Sequence, residues 1–137
     1  MSFKDKVIWI TGASSGIGEH LAYAFAEQGA DLILSARNEQ ALHRVEEQCP
    51  SSTRVLVLPM DVTDFKSLSG LAARAMNHFG KINILINNAG ISQRSLVKDT
   101  DLSVDQKIMD VNFIGTVAVT KAVLPYMLRQ KEGQIVA

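Results

Sequence analysis

The stretch Thr11-Gly12-Ala13-Ser14-Ser15-Gly16-Ile17-Gly18 has residue types and spacing that can do chemistry. It lies between an apolar run, Val7-Ile8-Trp9-Ile10, and a helical pattern, Leu21-Ala22-Tyr23-Ala24-Phe25-Ala26. Strand, glycine-rich turn and helix in that order build a phosphate site. The bare backbone lets N–H groups approach a pyrophosphate, and the positive end of the helix dipole faces it. Glycines at 12, 16 and 18 read G-x-x-x-G-x-G, not the G-x-G-x-x-G of the ordinary dinucleotide fingerprint. Glycine triplets also make plain tight turns, but the flanking strand and helix favour binding through Gly12, Ser14, Ser15, Gly16, Ile17 and Gly18.

Three further positions carry polar groups where such a fold could use them. About 20 residues past the glycine turn, at the end of a second strand, an acid would accept from the 2′-hydroxyl of NAD. This chain has Ser35-Ala36-Arg37 there. A guanidinium is a fork of donors suited to the 2′-phosphate of NADP, so Arg37 favours NADP(H) over NAD(H), with Glu39 nearby as a counterweight. A solvated surface arginine is the plain alternative. Asp61, followed by Val62, ends a third strand, where its carboxylate could accept from an adenine amino group or serve only as a turn residue beside a cap at Thr63 or Asp64. Asn112 shares a helical face with Ile108, Gly115 and Val119. In an apolar stripe its amide needs partners, at a cost of about 1–3 kcal/mol if unmet. Those partners could be a neighbouring loop, or a water or side chain that the amide orients for catalysis.

The elements that must hold these residues alternate from end to end, as in a parallel α/β sheet. Strands are expected at 7–10, 31–35, 54–58 and 82–86, and a fifth opens at 134–137. Asn38 caps a short helix to about Gln48, and a second helix runs from Asp64 to Phe79 with Gly80 as its stop. A long helix follows, opened by a Ser103–Gln106 capping box and kinked near its end by Pro125. The expected fold is a three-layer, Rossmann-type doubly wound sheet in the order 3-2-1-4-5, one domain over 1–137. Because the chain stops at the opening of its fifth strand, it is expected to be part of something longer.

Bulk properties narrow the partners. Hydrophobic residues make up 47% of the chain and charged residues 20%, which describes a globular protein with a real core. Lys+Arg 14 balances Asp+Glu 14, which argues against nucleic acid held by bulk electrostatics. No apolar run is seen that approaches the roughly 18 residues needed to span a bilayer. With a single Cys49, no leader pattern at the N-terminus and no metal-ligand spacing among the histidines at 20, 43 and 78, a cytoplasmic protein without a metal is expected.

Together these residues resemble the N-terminal half of the short-chain dehydrogenase/reductase family. Its cofactor turn T-G-x-x-x-G-x-G is matched by Thr11 to Gly18 and its N-N-A-G by Asn87-Asn88-Ala89-Gly90. Its acid after the third strand is matched by Asp61 and its mid-helix catalytic asparagine by Asn112. The run Ile91 to Leu96 is similar to that of a subgroup of NADP-linked reductases of lipophilic carbonyls. The resemblance implies hydride transfer between a nicotinamide and an alcohol or ketone, a cofactor bound also by Asn88, Ala89 and Gly90, and an asparagine that holds a water in a proton relay. It implies a homodimer or homotetramer too, with Val117, Ala118, Lys121, Ala122 and Leu124 on the long helix as small and apolar positions for it. The family's serine and Tyr-x-x-x-Lys pair are not matched: the positions four beyond Tyr23 and Tyr126 are Glu27 and Gln130. A nucleotide-sensing protein that binds NAD(P) without turnover therefore stays open. So does a methyltransferase, although that class has no use for N-N-A-G and wants an acid where Arg37 stands.

Overall fold

The computed structural model describes residues 2–137. Five parallel strands form one sheet: β1 (Val7–Thr11), β2 (Asp31–Ser35), β3 (Val55–Val57), β4 (Ile84–Ile86) and β5 (Gln134–Val136), in the order β3-β2-β1-β4-β5. This is the expected 3-2-1-4-5 sheet. β1 is central, paired with β2 from Val7↔Asp31 to Thr11↔Ser35 and with β4 from Ile8↔Ile84 to Ile10↔Ile86. A parallel sheet covered on both faces needs strands apolar on both sides. Val7, Trp9, Ile33 and Leu85 enter one core with helices α3 (Leu68–Phe79) and α5 (Thr116–Gln130). Ile8, Ile10, Leu32, Leu34 and Ile86 enter the other with α1 (Gly16–Glu27) and α2 (Glu39–Gln48). Strand pleating alone distributes them.

Several local expectations need correction. β3 and β4 are shorter than the apolar runs that contain them, although Arg54, Leu58 and Asn83 still bond to the neighbouring strands through single backbone groups. The helix expected from Asp64 begins at Leu68, since Asp64 to Ser67 form turns in which Asp64 O accepts from Ser67 N. The Ser103–Gln106 capping box does not form. Asp101 is the N-cap of α4 (Leu102–Met109), its carboxylate accepting from Ser103 N at 2.8 Å. Gly80 is the expected stop, in left-handed backbone at φ 77.

The long helix is not uniform. Between α4 and α5 lies a π-helical segment, Asp110–Gly115, and Pro125 sits inside the continuous α5. Taken whole, Leu102–Gln130 is long and apolar enough to cross a membrane, with a mean hydropathy of 1.4 in its most apolar window. That corrects the expectation that no run approaches such a length; an average over 18 residues tolerates polar and charged residues, such as Lys121, that interrupt the apolar run. Length and composition are weak support for a span here, because Val119, Val123 and Met127 pack into the core.

Candidate functional site

The glycine turn is shaped by contacts that only glycine allows. Gly12 has φ +64, a left-handed conformation without cost only in the absence of a Cβ. A Cβ on Gly18 would lie 2.2 Å from Gly12 O, so α1 packs directly on the turn. Gly16 differs. Its φ is +56, yet a Cβ there would meet nothing within 4 Å, which leaves open space over the backbone. Ser15 is the extended N-cap of α1 without a side-chain capping bond, so the first-turn N–H groups keep their capacity for an anion.

Thr11 ties this turn to the next strand. Its buried hydroxyl accepts from Asn88 N and Ala89 N, each at 3.0 Å, and donates to Ile86 O at 3.4 Å. Asn88 Nδ2 donates to Gly12 O at 3.2 Å. Thr11 thus joins the expected site residues, and its signal in the sequence is a threonine closing an apolar strand just before glycine.

A cleft of about 900 Å³ opens at the carboxyl ends of the strands. Among the residues that line it are Gly12, Ser14, Ser15, Ile17, Arg37, Asp61, Val62, Asn88, Ala89 and Gly90. Gly16, Gly18 and Asn112 are not among its lining residues. Gly16 borders an apolar shelf with Ile17, His20 and Leu21 instead, and Gly18 supports the turn from beneath.

Asp61 serves as a turn residue and still faces the cleft. Its Oδ1 accepts from Thr63 Oγ1 at 2.7 Å and from Thr63 N at 2.9 Å. Those two bonds, the hydroxyl's first, hold its carboxyl below the usual carboxylate range, and the Arg37 and Lys107 charges act in the same direction. Both bonds end on Oδ1, so Oδ2 remains for another donor. Arg37 is exposed and has no carboxylate within 4 Å among the described residues. Glu39, the counterweight, does not line the cleft; His43 Nε2 lies 3.7 Å from its Oε1 on the surface of α2.

Asn112 is exposed rather than enclosed in an apolar stripe, because the π-helical turn shifts the helical register at this position. Its amide pairs with one backbone unit: Nδ2 donates to Ile91 O and Oδ1 accepts from Ile91 N, both at 2.8 Å. This is the loop contact, and it fixes the backbone beside Gly90 at the mouth of the cleft. Tyr23 is poorly placed to serve as an acid or base. Tyr23 donates to Glu19 Oε1 at 2.7 Å, and burial, then that bond, push its phenol up to about 12. A proton-transfer tyrosine needs the opposite shift.

The residues present fit a dinucleotide: an open glycine cradle at a helix N-terminus, a guanidinium at the end of β2, and a carboxylate with a free oxygen. Residues 6–137 match the family model described as short chain dehydrogenase. The chain is 48% identical to dehydrogenase/reductase SDR family member 7 of Mus musculus over 96% of its own length and 40% of that protein's. It thus spans well under half the length of that relative. A short-chain type dehydrogenase/reductase from Mycobacterium marinum superposes with a TM-score of 0.93 at 32% identity, covering 98% of this chain and 54% of that one. A putative short-chain alcohol dehydrogenase from Sinorhizobium meliloti superposes with a TM-score of 0.92 at 28% identity, covering 98% and 54%.

Proposed function

Because this chain belongs to the short-chain dehydrogenase/reductase family, we propose that its cleft binds NADP(H) in preference to NAD(H), for a protein that interconverts an alcohol and a ketone. The observation that carries the cofactor choice is the pair Arg37 and Glu39. The guanidinium lines the cleft without a carboxylate partner, while Glu39 lies outside it beside His43. A donor fork at that place supports the 2′-phosphate, and a carboxylate turned away removes the competing acceptor for a 2′-hydroxyl.

The cofactor supplies the hydride when bound. This chain's residues bind and orient it. The glycine turn and the free N–H groups of α1 would hold the pyrophosphate, Asp61 Oδ2 would accept from the adenine amino group, and Asn88 to Gly90 would bind further along the cofactor. Asn112 acts by position: its amide pair with Ile91 fixes a loop that lines the cleft.

The test is Arg37→Asp. It removes a charge-assisted pair and adds a repulsion, so the ratio of NADPH to NADH affinity is expected to fall by at least about tenfold. An unchanged ratio contradicts the NADP(H) reading. A second reading is supported by the tyrosines, neither of which has a lysine four residues on: binding of NAD(P) without turnover. Steady oxidation of NADPH by the full-length protein over a panel of steroid, retinoid, sugar and acyl-carrier ketones would exclude it.

A further inference from the structure

His43 stands on the exposed face of α2 between two acids, since residues 39, 43 and 46 share one helical stripe. Its Nδ1 lies 2.9 Å from Glu46 Oε2, and its Nε2 lies 3.7 Å from Glu39 Oε1. Of the two acids, Glu39 is the one beside the cleft. It follows Asn38, the N-cap of α2, and Asn38 and Arg37 both line the cleft.

The two contacts depend on protonation in different ways. An imidazolium has an N–H on each ring nitrogen and can hold both carboxylates. A neutral imidazole has one N–H, and its other nitrogen bears a lone pair. Only the Glu46 contact has hydrogen-bond length, so the remaining proton stays on Nδ1. Nε2 then turns its lone pair towards the Glu39 carboxylate, and attraction gives way to repulsion. Glu39 is therefore the acid that loses its partner. Arg37, two residues earlier, has no carboxylate within 4 Å among the described residues and can receive it. Charged groups on the elements packed against α2 are engaged elsewhere: Glu19 of α1 accepts from Tyr23, and Arg54 beside β3 pairs with Asp31. The Glu46 bond foremost raises the His43 pKa above its ordinary 6.5, with lost hydration opposing it and the Glu46 and Glu39 charges adding to it.

We propose that Glu39 and His43 form a proton-operated selector of the cofactor. Protonated His43 holds Glu39 away from the 2′-phosphate of NADP(H). Loss of that proton frees Glu39 to compete for Arg37 and to repel the phosphate, so the preference for NADP(H) over NAD(H) weakens as pH rises. This rests on the NADP(H) reading given above.

The experiment is titration of the full-length wild type, Glu39→Gln and His43→Leu with NADP+ and NAD+ from about pH 5.5 to about pH 8.5, which brackets the imidazole. Both positions are exposed, so the cores stay intact, and thermal midpoints above the assay temperature check this. A phosphate monoester itself titrates near about pH 6. Each ratio of NADP+ to NAD+ affinity is therefore divided by that of Glu39→Gln, which faces the same phosphate without the acid. On that scale wild type should fall about threefold from the acid to the basic limit, the size of a screened charge pair. His43→Leu, which cannot hold Glu39, should stay at the wild-type basic limit throughout. A flat wild-type ratio would overturn the proposal. A step that persists in His43→Leu would assign the titration to another group, and a flat His43→Leu profile at the acid limit would reverse the sign; either also overturns it. If Arg37→Asp leaves the ratio unchanged, the NADP(H) reading itself fails, an outcome read on a separate variant.

Discussion

Asp61 shows how one side chain serves structure and binding together. Thr63 holds its carboxyl below the usual range through the hydroxyl bond first and the backbone bond second. A depressed carboxyl contributes to stability above its unfolded value, near 4, and that contribution is lost as pH falls through the lower folded value. Asp61 is exposed, so solvent screens the stability effect, and cofactor affinity is the better reporter. Adenine needs the ionised form, so binding by the native protein should persist into acid below the ordinary carboxylate range. Thr63→Val removes the hydroxyl donor and keeps the backbone bond. Its NADP+ affinity should therefore begin to fail at a higher pH than wild type's, read from titrations across the acid range. Coincident pH profiles would contradict this. The Thr63 partnership was not legible beforehand, because Thr63 and Asp64 were both open as the local cap beside Asp61; only the turn geometry decides which donates to which.

Among the elements, the β1–turn–α1 unit makes a prediction that separates two glycines. Gly18→Ala places a Cβ against the Gly12 carbonyl and should destabilise by about 1–3 kcal/mol through overpacking. Gly16→Ala meets no atom and bears only the strain of positive φ, about 1–2 kcal/mol, but it fills the open cradle. Urea unfolding should rank Gly18→Ala as the less stable, while both lose NADP(H) affinity. The reverse ranking would mean that the turn is packed differently. On α2, His43 donates to or pairs with Glu46 at 2.9 Å, and that bond chiefly raises its pKa. Such stabilisation is fully present below the unfolded value near 6.5 and is lost as pH rises through the raised folded value. His43→Gln should thus lower the thermal midpoint in mild acid, with the difference from wild type closing in base. These elements were legible where one signal governed them: Asn38 caps α2 by accepting from Ala41 N, as its residue type predicts. They were not legible where two signals competed. Asp101 captured the helix start that Ser103 and Gln106 advertised, and nothing in the residue pattern marks Asp110–Gly115 as π-helical, so the exposure of Asn112 was missed.

For the whole molecule, the order of strands followed from the alternation of apolar runs and helical patterns, and the cleft from the crossover on either side of β1. The long helix leaves Phe113, Ile114, Val117, Leu124 and Leu128 exposed, whereas Ala118 and Ala122, expected on the same outer surface, pack against the core. A helix apolar on two sides suits a second contact, and the full-length protein is expected to be a homo-oligomer by light scattering; a monomer at working concentration would count against that. The 137-residue chain itself should not oxidise NADPH with any ketone, since it holds no tyrosine–lysine pair and a positioned acid contributes typically 10²–10⁴-fold. Steady turnover by it, abolished by Asn112→Ala, would relocate the chemistry. The most direct test of the cofactor cleft is hydrogen–deuterium exchange of the protein with and without NADPH. The account predicts slowed exchange in the glycine turn from 12 to 18, at 37–38, at 61–63 and at 88–91, with other surface amides unchanged. Protection absent from those four segments, or confined to the apolar shelf at 20–21, would contradict it.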